Sequence, residues 1–213
     1  MKQTIYFQSS FEIKYNEEIN SYGMFATEFI PKHSLILVEC GLSGSCEYLS
    51  SLVSNNDIYK PFVNQLYPRD KDSDIKSKLI YNCFGNTVDE WRLYFTISKI
   101  NHNCIPNAGC VSSYWIPEIL KAGYVIGYVV SYNNIEKGEE ITIQYSLQAG
   151  HGCTFHNWKC ECNNSIKEKK FYEMNNLTKA FMSAKRSNLE CIDSIYESVK
   201  KDYNIQFNLL KEP

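Results

Sequence analysis

Nothing in this sequence is apolar for long enough to cross a bilayer, which takes ~20 residues for a helix. The first ten residues, MKQTIYFQSS, mix polar and apolar side chains and hold no apolar h-region, so no secretory signal is expected. Charge of one sign is also scarce. The 22 Lys+Arg and 24 Asp+Glu leave a net charge of −2, which gives no global pull towards nucleic acid or an anionic membrane. Neither direct nucleic-acid binding nor membrane association is expected. No glycine-rich phosphate loop follows a strand, and no repeat or low-complexity linker interrupts the chain. Strand-like and helix-like segments do not alternate, as a doubly wound α/β fold would require, so a Rossmann-type enzyme is disfavoured. The nine cysteines are an odd set, and Cys40, Cys46, Cys83, Cys104, Cys110 and Cys191 are scattered. Without a signal segment this points to a reducing, intracellular site, nuclear or cytoplasmic.

What is present is a chain of 213 residues, 44% hydrophobic, enough for one domain and a small appendage. Residues 1–15 read as short strands. A turn-and-strand pattern runs from Gly23 to Val38 and ends in the β-rich LILVE. Residues 42–90 are richer in Ser, Asn, Asp and Lys. Within them DSDIKSKLIYNCF suits a helix, with Ser73 or Asp72 as its cap. WRLYFTI at 91–97 is aromatic and β-branched, hence strand-like. GYVIGYVVSY at 123–132 is apolar on both faces and predicts a strand covered on both sides. ITIQY at 141–145 reads as another strand. Beyond Cys162 the pattern turns helical: Phe171, Met174, Leu177, Phe181 and Ala184, then Ile192, Ile195 and Val199 after a break near Ser187-Asn188. This predicts two amphipathic helices packed on the main body.

Four segments carry chemistry. Ser21-Tyr22-Gly23-Met24-Phe25-Ala26-Thr27, followed by Ile30 and Glu39, holds one glycine that serves either a turn or close backbone approach to a ligand. Asn101-His102-Asn103-Cys104-Ile105-Pro106-Asn107 can turn sharply and present amide and imidazole groups. Ile135-Glu136-Lys137-Gly138-Glu139-Glu140-Ile141-Thr142-Ile143-Gln144-Tyr145 sets a tyrosine at a strand end. Trp158-Lys159-Cys160-Glu161-Cys162 pairs an aromatic with closely spaced thiols, and Cys153 lies just upstream.

In this order the four resemble the motifs of the SET family: the G-x-G turn, N-H-S-C-x-P-N, G-E-E-[IL]-x-x-x-Y, and a post-SET C-x-C. Tyr81-Asn82-Cys83-Phe84 upstream of Ser98-Lys99-Ile100-Asn101-His102 looks like the SET-and-MYND branch, although no MYND zinc module lies in 40–90. The resemblance covers about 1–165. It implies a mainly β SET-domain fold, several small sheets around a pseudoknot-like loop, with an α insert and a helical C-terminal extension. The boundaries expected are a SET domain at 1–150 with the insert at about 42–90, a post-SET cysteine segment at 151–165, and C-terminal helices at 166–213 packed on the domain.

The resemblance further implies a protein-lysine N-methyltransferase using S-adenosylmethionine. Tyr145 would be catalytic, and Tyr22, Gly23, Met24, Asn82, Ser98, Asn101, His102, Tyr145 and Trp158 would bind the cofactor. The methyl on its sulfonium is already activated, so the protein's work is orientation. A free lysine has pKa ~10.4, so presenting it neutral near pH 7.4 costs about 4 kcal/mol. An apolar channel and the nearby sulfonium lower that pKa. A structural zinc is implied at Cys104, Cys160 and Cys162. Ser165 stands where the family has a further cysteine, so Cys153, His151 or His156 would be the fourth ligand. His156 also stands where the branch has a channel tyrosine. The partner implied is a protein bearing the target lysine, histone or non-histone. The alternative is a catalytically inactive SET-fold interaction module, kept open by Ser21, Asn103, His156 and Ser165.

Overall fold

The computed structural model describes residues 5–8, 10–17, 21–66, 73–87, 90–103, 105–112, 117–145 and 166–203. In chain order the strands are β1 (Ile5–Gln8), β2 (Phe11–Asn16), β3 (Ser21–Ala26), β4 (Leu35–Gly44), β5 (Phe84–Thr87), β6 (Glu90–Leu93), β7 (Asn101–His102), β8 (Ala108–Ser112), β9 (Tyr124–Ser131) and β10 (Glu140–Ile143). The helices are α1 (Cys46–Ser54), α2 (Lys60–Val63), α3 (Ile75–Asn82), α4 (Pro117–Lys121), α5 (Ile166–Ser187) and α6 (Leu189–Tyr203), with one 3-10 turn at Ile97–Lys99.

Two sheets form. The larger runs β5-β6-β4-β9-β8, with β1 also pairing β4, and the smaller runs β2-β3-β10-β7. Strands β4 and β9 are buried almost throughout because both faces of the larger sheet are covered. On one face Val38, Cys40, Ile126, Tyr128 and Val130 meet Ala180, Ala184, Ile192, Ile195 and Val199 of α5 and α6. On the other, Ile36, Leu37, Val125 and Val129 meet Met24, Ala26, Ile141 and Ile143 of the smaller sheet. A register shift between Leu35 and Leu37 breaks the alternation, so Ile36 and Leu37 share this second core. A third core packs α1, α2 and α3 against Leu42 and Leu93.

Several local expectations need correction. The strand expected over 91–97 stops at Leu93. The amides of Phe95, Thr96 and Ile97 instead turn onto the Glu39 carboxylate. The cap of α3 is Asp74 and not Ser73 or Asp72: its carboxylate accepts from the Ser77 N–H at 2.7 Å. Gly23 lies inside β3 and not in a turn. The helices within 42–90 span 46–82, and Leu42–Gly44, Phe84–Thr87 and Glu90 belong to strands.

Candidate active site

The site forms where β7 runs parallel to β10, pairing Asn101 with Thr142 and His102 with Ile143. One asparagine fastens this crossing. The Asn107 amide donates to the Glu139 carboxylate and to the Glu140 carbonyl, both at 2.8 Å, and its oxygen accepts from the Thr142 N–H at 2.9 Å. Asn103, where the family has serine, accepts from the Ile105 N–H at 2.9 Å and so makes the same tight turn. The Asn103 N–H in turn donates to the Ile143 carbonyl at 3.0 Å.

Around this crossing most of the expected residues converge. The half-buried Asn101 donates to the Glu140 carboxylate at 2.6 Å. Gly23 stands against the pair. A Cβ added there would lie 2.6 Å from Glu140 Oε1 and 3.1 Å from Asn101 Nδ2, so only glycine lets β3 approach this closely. The pairing of β3 with β10 covers Phe25 and Met24, and Gly23 and Tyr22 continue past it. The Tyr22 ring meets Tyr15 edge-on at 5.6 Å, and Lys99 Nζ lies 5.8 Å from its centroid. Ser98 donates to the Asn82 carbonyl at 2.8 Å, which ties α3 to the 98–102 segment.

Two side chains are turned elsewhere. Met24 is fully buried in the second core, so only its backbone can face a ligand. The Asn82 amide donates to the Lys78 carbonyl of its own helix at 2.7 Å.

Tyr145 lies two residues beyond the end of β10. Its N–H donates to His102 Nδ1 at 3.1 Å, which puts the proton of a neutral ring on Nε2. The two rings are 5.5 Å apart. Its hydroxyl donates to the carbonyl of the buried Ile100 at 2.7 Å. The residue is 44% exposed. Burial, and the Glu140 charge after it, hold this phenol above its ordinary range.

Glu39 stands out as a residue with no role assigned from the sequence. It is wholly buried in β4, and its carboxylate accepts from the N–H groups of Phe95 (2.7 Å), Thr96 (3.0 Å) and Ile97 (2.9 Å). Burial pushes it up to about 7, and the three amides and Lys99 pull the other way. One signal was available: an acid inside the apolar run LILVEC must find buried donors. Glu140 and Lys99 likewise belong to the site.

Trp158 and the proposed metal ligands Cys104, Cys153, Cys160 and Cys162, with His151 and His156, lie outside the described residues. Among the described residues no group of three or more His, Cys, Asp or Glu could hold a metal ion, and no helix is long and apolar enough to cross a membrane.

The sequence profile of the SET domain matches residues 21–146, from β3 to just beyond Tyr145. The fold and this match define the class: the chain belongs to the SET domain family. It is similar to a protein of Acanthamoeba polyphaga mimivirus named for its SET domain, 32% identical over 168 residues, 72% of this chain. The chain spans 50% of the length of that curated relative. It is also similar to a Plasmodium falciparum crystal structure with a histone methyltransferase assignment: 23% identity, TM-score 0.40, 66% of this chain and 96% of that one.

Proposed function

We propose that the chain is an S-adenosylmethionine-dependent protein-lysine N-methyltransferase with Tyr145 as its catalytic residue. The observation that carries this reading is the convergence of the Tyr145 hydroxyl, His102, Asn101 and Gly23 at the crossing of β7 and β10. The side chains suit the cofactor: the Glu140 carboxylate, beside the Asn101 amide, matches the ammonium of an amino-acid end, and Lys99, whose ammonium donates to the Phe95 carbonyl at 2.8 Å and lies 5.8 Å from the Tyr22 ring, matches its carboxylate. Tyr22, Gly23, the Met24 backbone, Ser98, Asn101, His102 and Trp158 would hold the cofactor, and Asn82, whose amide is turned onto its own helix, would act by fixing Ser98. Within the family we place the chain near the SET-and-MYND branch, on the resemblance of Tyr81-Asn82-Cys83-Phe84 and Ser98-Lys99-Ile100-Asn101-His102 to that branch's motifs.

When bound, the cofactor supplies a methyl already activated on a positive sulfur. The chain's own task is alignment. Raised by burial, the Tyr145 phenol keeps its proton at neutral pH and gives it to the Ile100 carbonyl. What it offers an arriving amine is therefore acceptor lone pairs. An amine that donates one N–H to that oxygen has its own lone pair aimed in a fixed direction. A zinc at Cys104, Cys160, Cys162 and one of Cys153, His151 or His156 belongs to the same proposal, as does a lysine-bearing protein substrate, histone or not.

Labelled methyl transfer onto histones and fractionated lysate, read by mass spectrometry at the modified residue, tests the reading. Transfer to a lysine is expected. A well-folded protein that binds no cofactor by calorimetry and transfers nothing would leave the inactive interaction module as the correct account.

A further inference from the structure

The buried carboxylate of β4 is linked to the Tyr145 hydroxyl by three hydrogen bonds that meet at the backbones of Ile97 and Ile100. Glu39 accepts from the Ile97 N–H at 2.9 Å. The Ile97 carbonyl accepts from the Ile100 N–H at 3.0 Å. The Ile100 carbonyl accepts the Tyr145 proton at 2.7 Å. Two residues, Ile97 and Ile100, thus stand between a core carboxylate and the phenol at the site. The neighbouring amides of Phe95 and Thr96 hold the same carboxylate, so the whole 95–97 turn is gripped at one point.

The floor beneath the turn is built for this contact. Glu39 pairs across the sheet with Gly127. A Cβ on Gly127 would lie 2.7 Å from both the Ile97 and the Tyr94 side chains. Glycine beside the acid is what lets the turn descend to it. Immediately past the turn lie Ser98, Asn101 and His102 of the proposed site.

We propose that Glu39 is a positioning residue for methyl transfer: it fixes the 95–97 turn and, through Ile97 and Ile100, the orientation of the Tyr145 hydroxyl. This rests on the methyltransferase reading. A residue that served only the core would influence stability without a directed effect on one phenol. The bonds supply such an effect mechanically: a turn held at Glu39 fixes where the Ile97 carbonyl stands, and that carbonyl, by holding the Ile100 N–H, fixes the carbonyl to which Tyr145 donates.

The test uses the full chain with carbon-labelled tyrosine, in the wild type and in Glu39→Gln, with the Tyr145 signal identified by its loss in Tyr145→Phe. The Tyr145 ring signal should move in Glu39→Gln, while that of Tyr15 stays in place. A fixed Tyr145 signal overturns the proposal whether or not the protein has activity. Should Glu39→Gln fail to fold, Glu39→Asp keeps the charge, withdraws it by one methylene, and should move the same signal. Where the wild type transfers methyl groups, kcat in Glu39→Gln should fall on the order of tenfold to a hundredfold. The fall should largely vanish in a Tyr145→Phe background, because the two substitutions act on one hydroxyl. Full multiplication of the two effects would overturn the proposal, whereas an inactive wild type would overturn the methyltransferase reading alone.

Discussion

Tyr145 has one proton and gives it to the Ile100 carbonyl, so removing its oxygen removes that bond and an acceptor at the reacting end while leaving the ring in place. Tyr145→Phe should keep the fold and most of the cofactor affinity while turnover falls on the order of a hundredfold. Unchanged transfer by this variant would mean the reacting centre lies elsewhere. Tyr132→Phe, buried in the core under α5 and α6, is the contrasting control and should transfer at the wild-type rate. Asn101→Ala deletes the amide that Glu140 orients and should weaken cofactor binding by about 1–3 kcal/mol in calorimetry. Tyr145, Asn101 and His102 were legible because each sits in a short run of fixed spacing. Glu39 was quoted with its motif but had no visible task. Its partners are 56 to 58 residues away, and no local pattern displays a pairing of that range.

At the scale of elements, apolar runs were the readable part. LILVE and GYVIGYVVSY are strands because a sheet covered on both faces needs apolar side chains on both. Of the residues read at three-to-four spacing, Leu177, Phe181, Ala184, Ile192, Ile195 and Val199 lie on the face that α5 and α6 lay on that sheet. WRLYFTI was misleading for a physical reason. Its composition suits a strand, but three of its amides bond to a side chain, and a carboxylate that takes them also takes them out of any ladder. The docking of α6 has polar fastenings in an apolar face: the Tyr128 hydroxyl donates to that of Tyr196 at 2.7 Å, and the Tyr6 hydroxyl to the Asp202 carboxylate at 3.1 Å. Tyr196→Phe removes that acceptor inside the core. It should lower stability by about 1–3 kcal/mol in urea unfolding. A midpoint equal to that of the wild type would show that the Tyr128–Tyr196 bond adds nothing to the docking of α6.

For the whole molecule, the consequence of burying Glu39 is a stability that depends on pH. Burial raises its carboxyl from an ordinary 4.5 to about 7 in the folded chain. Between those values the folded state holds a proton that the unfolded state has released. Stability therefore falls as pH rises through this window. The contribution is complete below 4.5 and gone above about 7, and its size is about 3 kcal/mol at 1.36 kcal/mol per pH unit. His33 runs the other way: burial and Lys32 lower it, so the folded state gains stability as pH rises past its titration. The difference between wild type and Glu39→Gln cancels His33 and every other shared group. Urea unfolding of both proteins at steps from pH 5 to 8 should give two curves that are not parallel. The wild type should lose stability relative to Glu39→Gln as pH increases, with most of the change complete by pH 8. Parallel curves would mean that Glu39 stays ionised throughout, with its three amide donors outweighing its burial.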